Sequence, residues 1–125
     1  MNGDLLKELQ EIVRQRKIEQ EEGSYTTYLF DQGLDKILKK LGEETTETVI
    51  AAKNFESASK AENNAEADKA KADLEGEIGD MLYHLVVMLE ALGLDADGVE
   101  ELLRERMKKK GNLKASLKGA AGSRS

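Results

Sequence analysis

Residues 34–55 read LDKILKKLGEETTETVIAAKNF, and this stretch decides the fold. Leu34, Ile37, Leu38, Leu41, Val49 and Ala52, with Thr45 among them, return every three or four residues. That period marks an α-helix with one buried face. Gly42 interrupts the helix at a cost of about 1 kcal/mol relative to Ala. A Gly there suggests close approach by another backbone or a ligand, or a position that simply tolerates it. Glu44 borders the apolar stripe and Glu47 lies on the same flank, about one turn further on. Lys36 and Lys40 extend that flank toward the N-terminus.

The pattern has an echo downstream. Residues 65–92 predict a long helix whose second part, from Ile78 through Met81, Leu82 and Leu85 to Leu92, is apolar nearly all round. Such a segment is buried on most sides. A monomer of this size would struggle to cover it, so a homodimer is expected, with this helix near the interface. Asp73, Glu77, Asp80 and His84 fall on one flank beside its core stripe at ~100° per residue. Facing flanks of the two helices would bring Glu44, Glu47, Glu77 and Asp80 together. Carboxylates that close repel one another, and a divalent cation neutralises them. An oxygen-only donor set suits Mg²⁺ or a similar hard cation, which in turn suggests phosphate chemistry.

Around these two helices the chain reads as helical throughout. A first helix is expected over about 4–22, N-capped by Asp4 and broken at Gly23-Ser24. The hydroxyl-rich stretch Ser24-Tyr25-Thr26-Thr27-Tyr28 reads as a connection, followed by a short helical turn over 28–32 closed by Gly33. Residues 56–64 read as a polar connection. Gly93 closes the long helix. Asp95 or Asp97 caps a last helix running to about Lys110, with Val99, Leu102, Leu103 and Met107 inward. The expected fold is all-α, a bundle of four to five helices over residues 1–110. Residues 111–125 are expected to form a flexible basic tail.

Composition agrees. The chain has 125 residues, the size of one domain, with no Pro, Trp or Cys. The absence of Cys excludes disulfides and thiolate metal sites. A net charge of −6 argues against general nucleic-acid binding, though not against a nucleotide substrate whose phosphates a metal screens. Neither a signal peptide nor a membrane span is evident, so a cytoplasmic protein is expected.

Taken together, these segments resemble a known family. They are Ser24-Tyr25-Thr26, the run from Leu34 through Lys39-Lys40-Leu41-Gly42-Glu43-Glu44 to Glu47, Ala51-Ala52-Lys53-Asn54, and Gly79-Asp80-Met81-Leu82-Tyr83-His84-Leu85. They look like phosphoribosyl-ATP pyrophosphohydrolase, of the MazG-like all-α nucleotide pyrophosphohydrolases. The resemblance covers roughly residues 5–107. It implies Mg²⁺-dependent hydrolysis of phosphoribosyl-ATP to phosphoribosyl-AMP and pyrophosphate, the second step of histidine biosynthesis. Carried over by motif, Glu44, Glu47, Glu77 and Asp80 would be metal ligands. Glu43 would orient water or a second metal, so that the catalytic base lies among Glu43, Glu44 and Glu47. Lys40, Lys36 and Arg16 would meet phosphate oxygens. Ser24, Tyr25 and Thr26 would border the substrate, and Asn54 and His84 match motif positions at the site.

Two departures stand out. The 29 residues between Glu47 and Glu77 exceed the usual pattern, and position 79 is Gly where a small apolar residue is expected. A house-cleaning pyrophosphohydrolase of dCTP or dUTP, and a non-enzymatic helical dimer, are the alternative readings.

Overall fold

The structure, a computed structural model, describes residues 5–109. Five helices account for most of them: α1 (Leu5–Glu19), α2 (Tyr25–Gln32), α3 (Leu34–Lys60), α4 (Asn64–Ala91) and α5 (Ala96–Met107). No strand occurs among the described residues. The all-α expectation is met. The expected Asp4 cap, Lys110 and the 111–125 tail lie outside the described residues, and the last helix, expected to about Lys110, ends at Met107.

α3 and α4 form a long hairpin and pack against each other more extensively than any other pair of helices. Only residues 61–63 join them, so the polar connection expected over 56–64 is mostly helix. Ala-, Glu- and Lys-rich segments are good helix formers, and here propensity carries both helices past the point where the apolar pattern fades. Asn63 starts α4 as its N-cap, with its side chain accepting from the Glu66 amide at 3.1 Å.

The core lies at one end of this hairpin. Val13 of α1, Leu29 of α2, Ile37 of α3, and Val86 and Val87 of α4 form one buried cluster. Each such side chain contributes about 1.5–3 kcal/mol by leaving water. Beyond Ala51 the hairpin has no fully buried residue until His84. The fold is therefore a packed base with a thin two-helix arm, and the excess length between Glu47 and Glu77 builds the arm.

Three readings of the sequence need correction. Tyr25 to Thr27 are not a connection: Ser24 is the N-cap and its hydroxyl accepts from the Thr27 amide at 3.2 Å, so the helix begins at Tyr25. Asp95 occupies the cap position of α5, but its side chain makes no capping bond. The Ala96 amide instead donates to Oε1 of the buried Gln10 at 2.8 Å. Finally, Val99, Leu102, Leu103 and Met107 do not face inward: they are 43–68% exposed. α5 meets α1 along one edge, and its apolar face has no cover among the described residues.

α2 ends where α3 begins, at Gly33. Its φ of 96° with ψ of 178° belongs to a region that side chains avoid, and this residue turns the chain between the two helices. At Gly42, a Cβ would meet nothing within 4 Å. Among the described residues no backbone requires that glycine.

Candidate active site

Where the arm joins the base, α3 and α4 face each other with their acidic flanks. Helical spacing fixes the pairs: Glu44 and Glu47 descend α3 while Glu77 and Asp80 ascend α4. One carboxylate oxygen each from Glu44, Glu77 and Asp80 lies within 4.8 Å of the others. Glu47 stands at the rim, exposed, and its charge acts on Glu77. The structure thus gathers three of the four expected carboxylates tightly and leaves the fourth beside them.

This cluster is electrostatically costly. Glu44 is only 9% exposed, and Oε1 of both Glu44 and Glu77 is buried without a hydrogen-bond partner. Buried carboxylate oxygens normally have partners. Desolvation, then the neighbouring Glu47 and Glu44, push the Glu77 carboxyl up to about 6. The cluster holds oxygen donors alone, and carboxylates gathered this closely, two of them with an orphaned buried oxygen, are what a hard cation would satisfy. An open cleft of about 460 Å³ adjoins it between the two helices, lined by Glu47, Asn54, Asp73, Glu77 and Asp80 among others.

A polar and aromatic wall flanks the other side. Tyr25 and His84 meet through a 2.9 Å hydrogen bond between Oη and Nε2. The His84 Nδ1 lies 2.8 Å from the Asp80 carbonyl oxygen, one turn back on α4. That carbonyl only accepts, so Nδ1 carries the proton and, in the neutral ring, Nε2 accepts from the tyrosine. The Thr26 and Tyr83 hydroxyls bond one position away. Tyr25 stacks on Tyr28 and Tyr83 at 6.0 and 6.1 Å between ring centroids. Burial raises the pKa of both Tyr25 and Tyr83.

The remaining predicted residues divide. Lys40 lies 3.4 Å from Glu43. Tyr25, then Glu43, raise its pKa and keep it charged. Lys36 sits over the Tyr28 ring, 6.0 Å from its centroid. Arg16 lies 4.0 Å from Glu21, and its carbonyl accepts from the Thr27 hydroxyl. The Ser24 and Thr26 hydroxyls are committed within the chain. Sequence reasoning passed over Tyr83, because a tyrosine beside a core stripe reads as packing. Its place in Asp80-x-x-Tyr83-His84 was the available signal.

Comparison with known proteins now bears on this geometry. The phosphoribosyl-ATP pyrophosphohydrolase family pattern matches residues 6–107. The chain belongs to this family. A phosphoribosyl-ATP pyrophosphatase of Streptococcus thermophilus is 48% identical over 98 residues, 78% of this chain and 81% of that protein. One from Clostridium novyi is 41% identical over 113 residues, 90% of each chain. A histidine biosynthesis bifunctional protein of Halalkalibacterium halodurans is 46% identical over 102 residues, 82% of this chain but 42% of that protein. The match to the phosphoribosyl-ATP pyrophosphohydrolase family spans both acidic pairs and the Tyr25–His84 wall.

Proposed function

We propose that this chain hydrolyses the α–β phosphoanhydride of phosphoribosyl-ATP, giving phosphoribosyl-AMP and pyrophosphate, a step of histidine biosynthesis in the cytoplasm. The observation that carries the reading is the orphaned carboxylate pair, Glu44 and Glu77 facing Asp80, in a member of this family. Glu44, Glu77 and Asp80, with Glu47 beside them, would hold Mg²⁺. When bound, Mg²⁺ supplies neutralisation of the phosphate charge that builds as the anhydride breaks.

The chain's own groups do the rest. Lys40 offsets charge on phosphate oxygens and on the departing group. Lys36 adds cationic potential at that end, and Asn54 offers amide donors and an acceptor along the cleft. Water adds to one phosphorus of the anhydride, the bridging oxygen leaves with the other, and a carboxylate takes the proton. Glu47 is the best placed acceptor: Glu44 is buried, and Glu43 is drawn to Lys40.

Pyrophosphate release from phosphoribosyl-ATP is the direct test. Turnover with Mg²⁺ and its loss, by about a hundredfold or more, on chelation is the expected result. Release from dCTP or dUTP but not phosphoribosyl-ATP would replace the substrate assignment. Full turnover in chelator would remove the metal.

The chain also pairs with a second copy. The apolar faces left open on α5 and on α3, at Val49 and Ile50, support this. Sedimentation equilibrium should return twice the chain mass of 13.8 kDa. A monomer at micromolar concentration would refute the pairing.

A further inference from the structure

We propose that Tyr25 and Tyr28 form the subsite for the substrate's purine base, which they take as a cation. This subsite deepens the proposed function and rests on phosphoribosyl-ATP being the substrate. In that compound the second ribose is attached at N1 of the adenine. Substitution there turns the ring into an amidine, a far stronger base than adenine itself. Its protonated form spreads a positive charge over the flat ring. Such a cation is attracted to the face of an aromatic side chain, and the ring gains further from stacking.

Three observations carry it. Tyr25 and Tyr28 are 44% and 43% exposed, and their rings are 24° from parallel with centroids 6.0 Å apart. Two large rings thus stand side by side at the surface, and the bond from Tyr25 to His84 fixes one of them before a ligand arrives. Next, Tyr28 already holds a positive charge: the Lys36 ammonium lies over its ring, 6.0 Å from the centroid. A charge on a flexible four-carbon stem is readily displaced by a ligand cation. Finally, an open cleft of about 480 Å³ runs beside the two rings. Among the described residues that line it are Glu21, Glu22 and Asp31, and none is basic. Arg16 offsets part of the charge on Glu21, from which it lies 4.0 Å. The cleft therefore disfavours a phosphate and suits a cationic base.

The phosphates have a track of their own. Lys36, Lys40 and Glu44 follow at four-residue intervals along α3, so one helix flank leads from Tyr28 to the carboxylate cluster. Eight residues of helix rise about 12 Å. That span is comparable to a nucleoside carrying its first two phosphates. One molecule can thus place its base on the tyrosines and its anhydride at the carboxylates. Lys36, once displaced from Tyr28, is free to turn to the phosphates.

Binding of three nucleotides at neutral pH, read by amide ¹⁵N shifts, tests the subsite without turnover. 1-Methyl-AMP carries the cationic ring, AMP the neutral one, and N6-methyl-AMP adds the same methyl group without the charge. The parent should bind 1-methyl-AMP at least about fivefold more tightly than either of the others. Tyr28→Phe should keep that preference, and Tyr28→Leu should reduce it below about twofold. Equal affinities in the parent, N6-methyl-AMP matching 1-methyl-AMP, no binding of any of the three, or a preference that survives Tyr28→Leu would overturn the proposal. In turnover, Tyr28→Leu should raise KM for phosphoribosyl-ATP about tenfold and leave kcat within about twofold, with Tyr28→Phe close to the parent. An unchanged KM would overturn it as well. Lack of turnover in the parent would reject the proposed function, and the nucleotide preference would still decide the subsite.

Discussion

Glu77→Gln should reduce pyrophosphate release by about a hundredfold or more and, at the same time, stabilise the metal-free protein. The two effects have one cause. The Glu77 carboxyl is pushed up to about 6 in the folded chain, by desolvation first and then by Glu47 and Glu44. A raised carboxyl means that the folded state binds the proton more tightly than the unfolded chain does. Its contribution to stability is fully present below the ordinary value of 4.5 and is lost as pH rises through about 6. At pH 7.5 the ionised Glu77 therefore opposes folding unless a cation is bound. Glutamine keeps the shape without the charge, so the variant should melt higher than the parent at pH 7.5 in chelator. The gap should narrow as pH falls through about 6 and close below 4.5, where the parent carboxyl is protonated in both states. Added Mg²⁺ should raise the melting temperature of the parent and leave the variant nearly unmoved. A variant less stable than the parent in chelator at pH 7.5 would mean that the cluster is satisfied without a cation.

Such a trade of stability against activity is expected where a site collects like charges. It also explains why this part of the molecule was legible in the sequence. Glu44-x-x-Glu47 and Glu77-x-x-Asp80 sit beside apolar stripes, and helical periodicity alone fixes which flank each pair occupies. The facing of the two flanks then follows from a hairpin, the simplest packing of two successive long helices. Glu47 was less determined, because a residue at the border of a stripe can turn to either side, and it lies at the rim.

Other features were hidden for specific physical reasons. Ser24-Tyr25-Thr26-Thr27 has the composition of a turn, yet the same hydroxyls serve an N-cap and the first turn of a helix. Only tertiary partners, His84 and Tyr83, reveal which. The apolar positions of α5 were correctly placed on one face. Periodicity identifies such a face without saying what covers it, and none of the described helices does.

Gln10→Ala should destabilise the protein by about 2–4 kcal/mol, the largest loss expected from any polar substitution in the chain. Gln10 is 2% exposed and joins three segments. Its amide donates to Glu90 Oε1 at 3.2 Å and to the Leu94 carbonyl at 2.8 Å, and its oxygen accepts from Ala96 at 2.8 Å. Truncation would leave a buried N–H and a carbonyl without partners, which costs more than the bonds themselves contribute. Glu90 would keep Arg14 at 3.2 Å, so the loss falls mainly on the junction with α5. Urea denaturation should show the lower midpoint, and the Ala96 amide should exchange faster by about tenfold or more. An unchanged midpoint with Ala96 still protected would show that α5 is held by something else. The bond spans 86 positions in sequence and has no local signature. It fixes the start of α5, and therefore the direction in which Leu102 and Leu103 are presented. If that face receives a second copy of the chain, Gln10→Ala should weaken the pairing as well as the fold, although Gln10 itself lies buried beneath the helix.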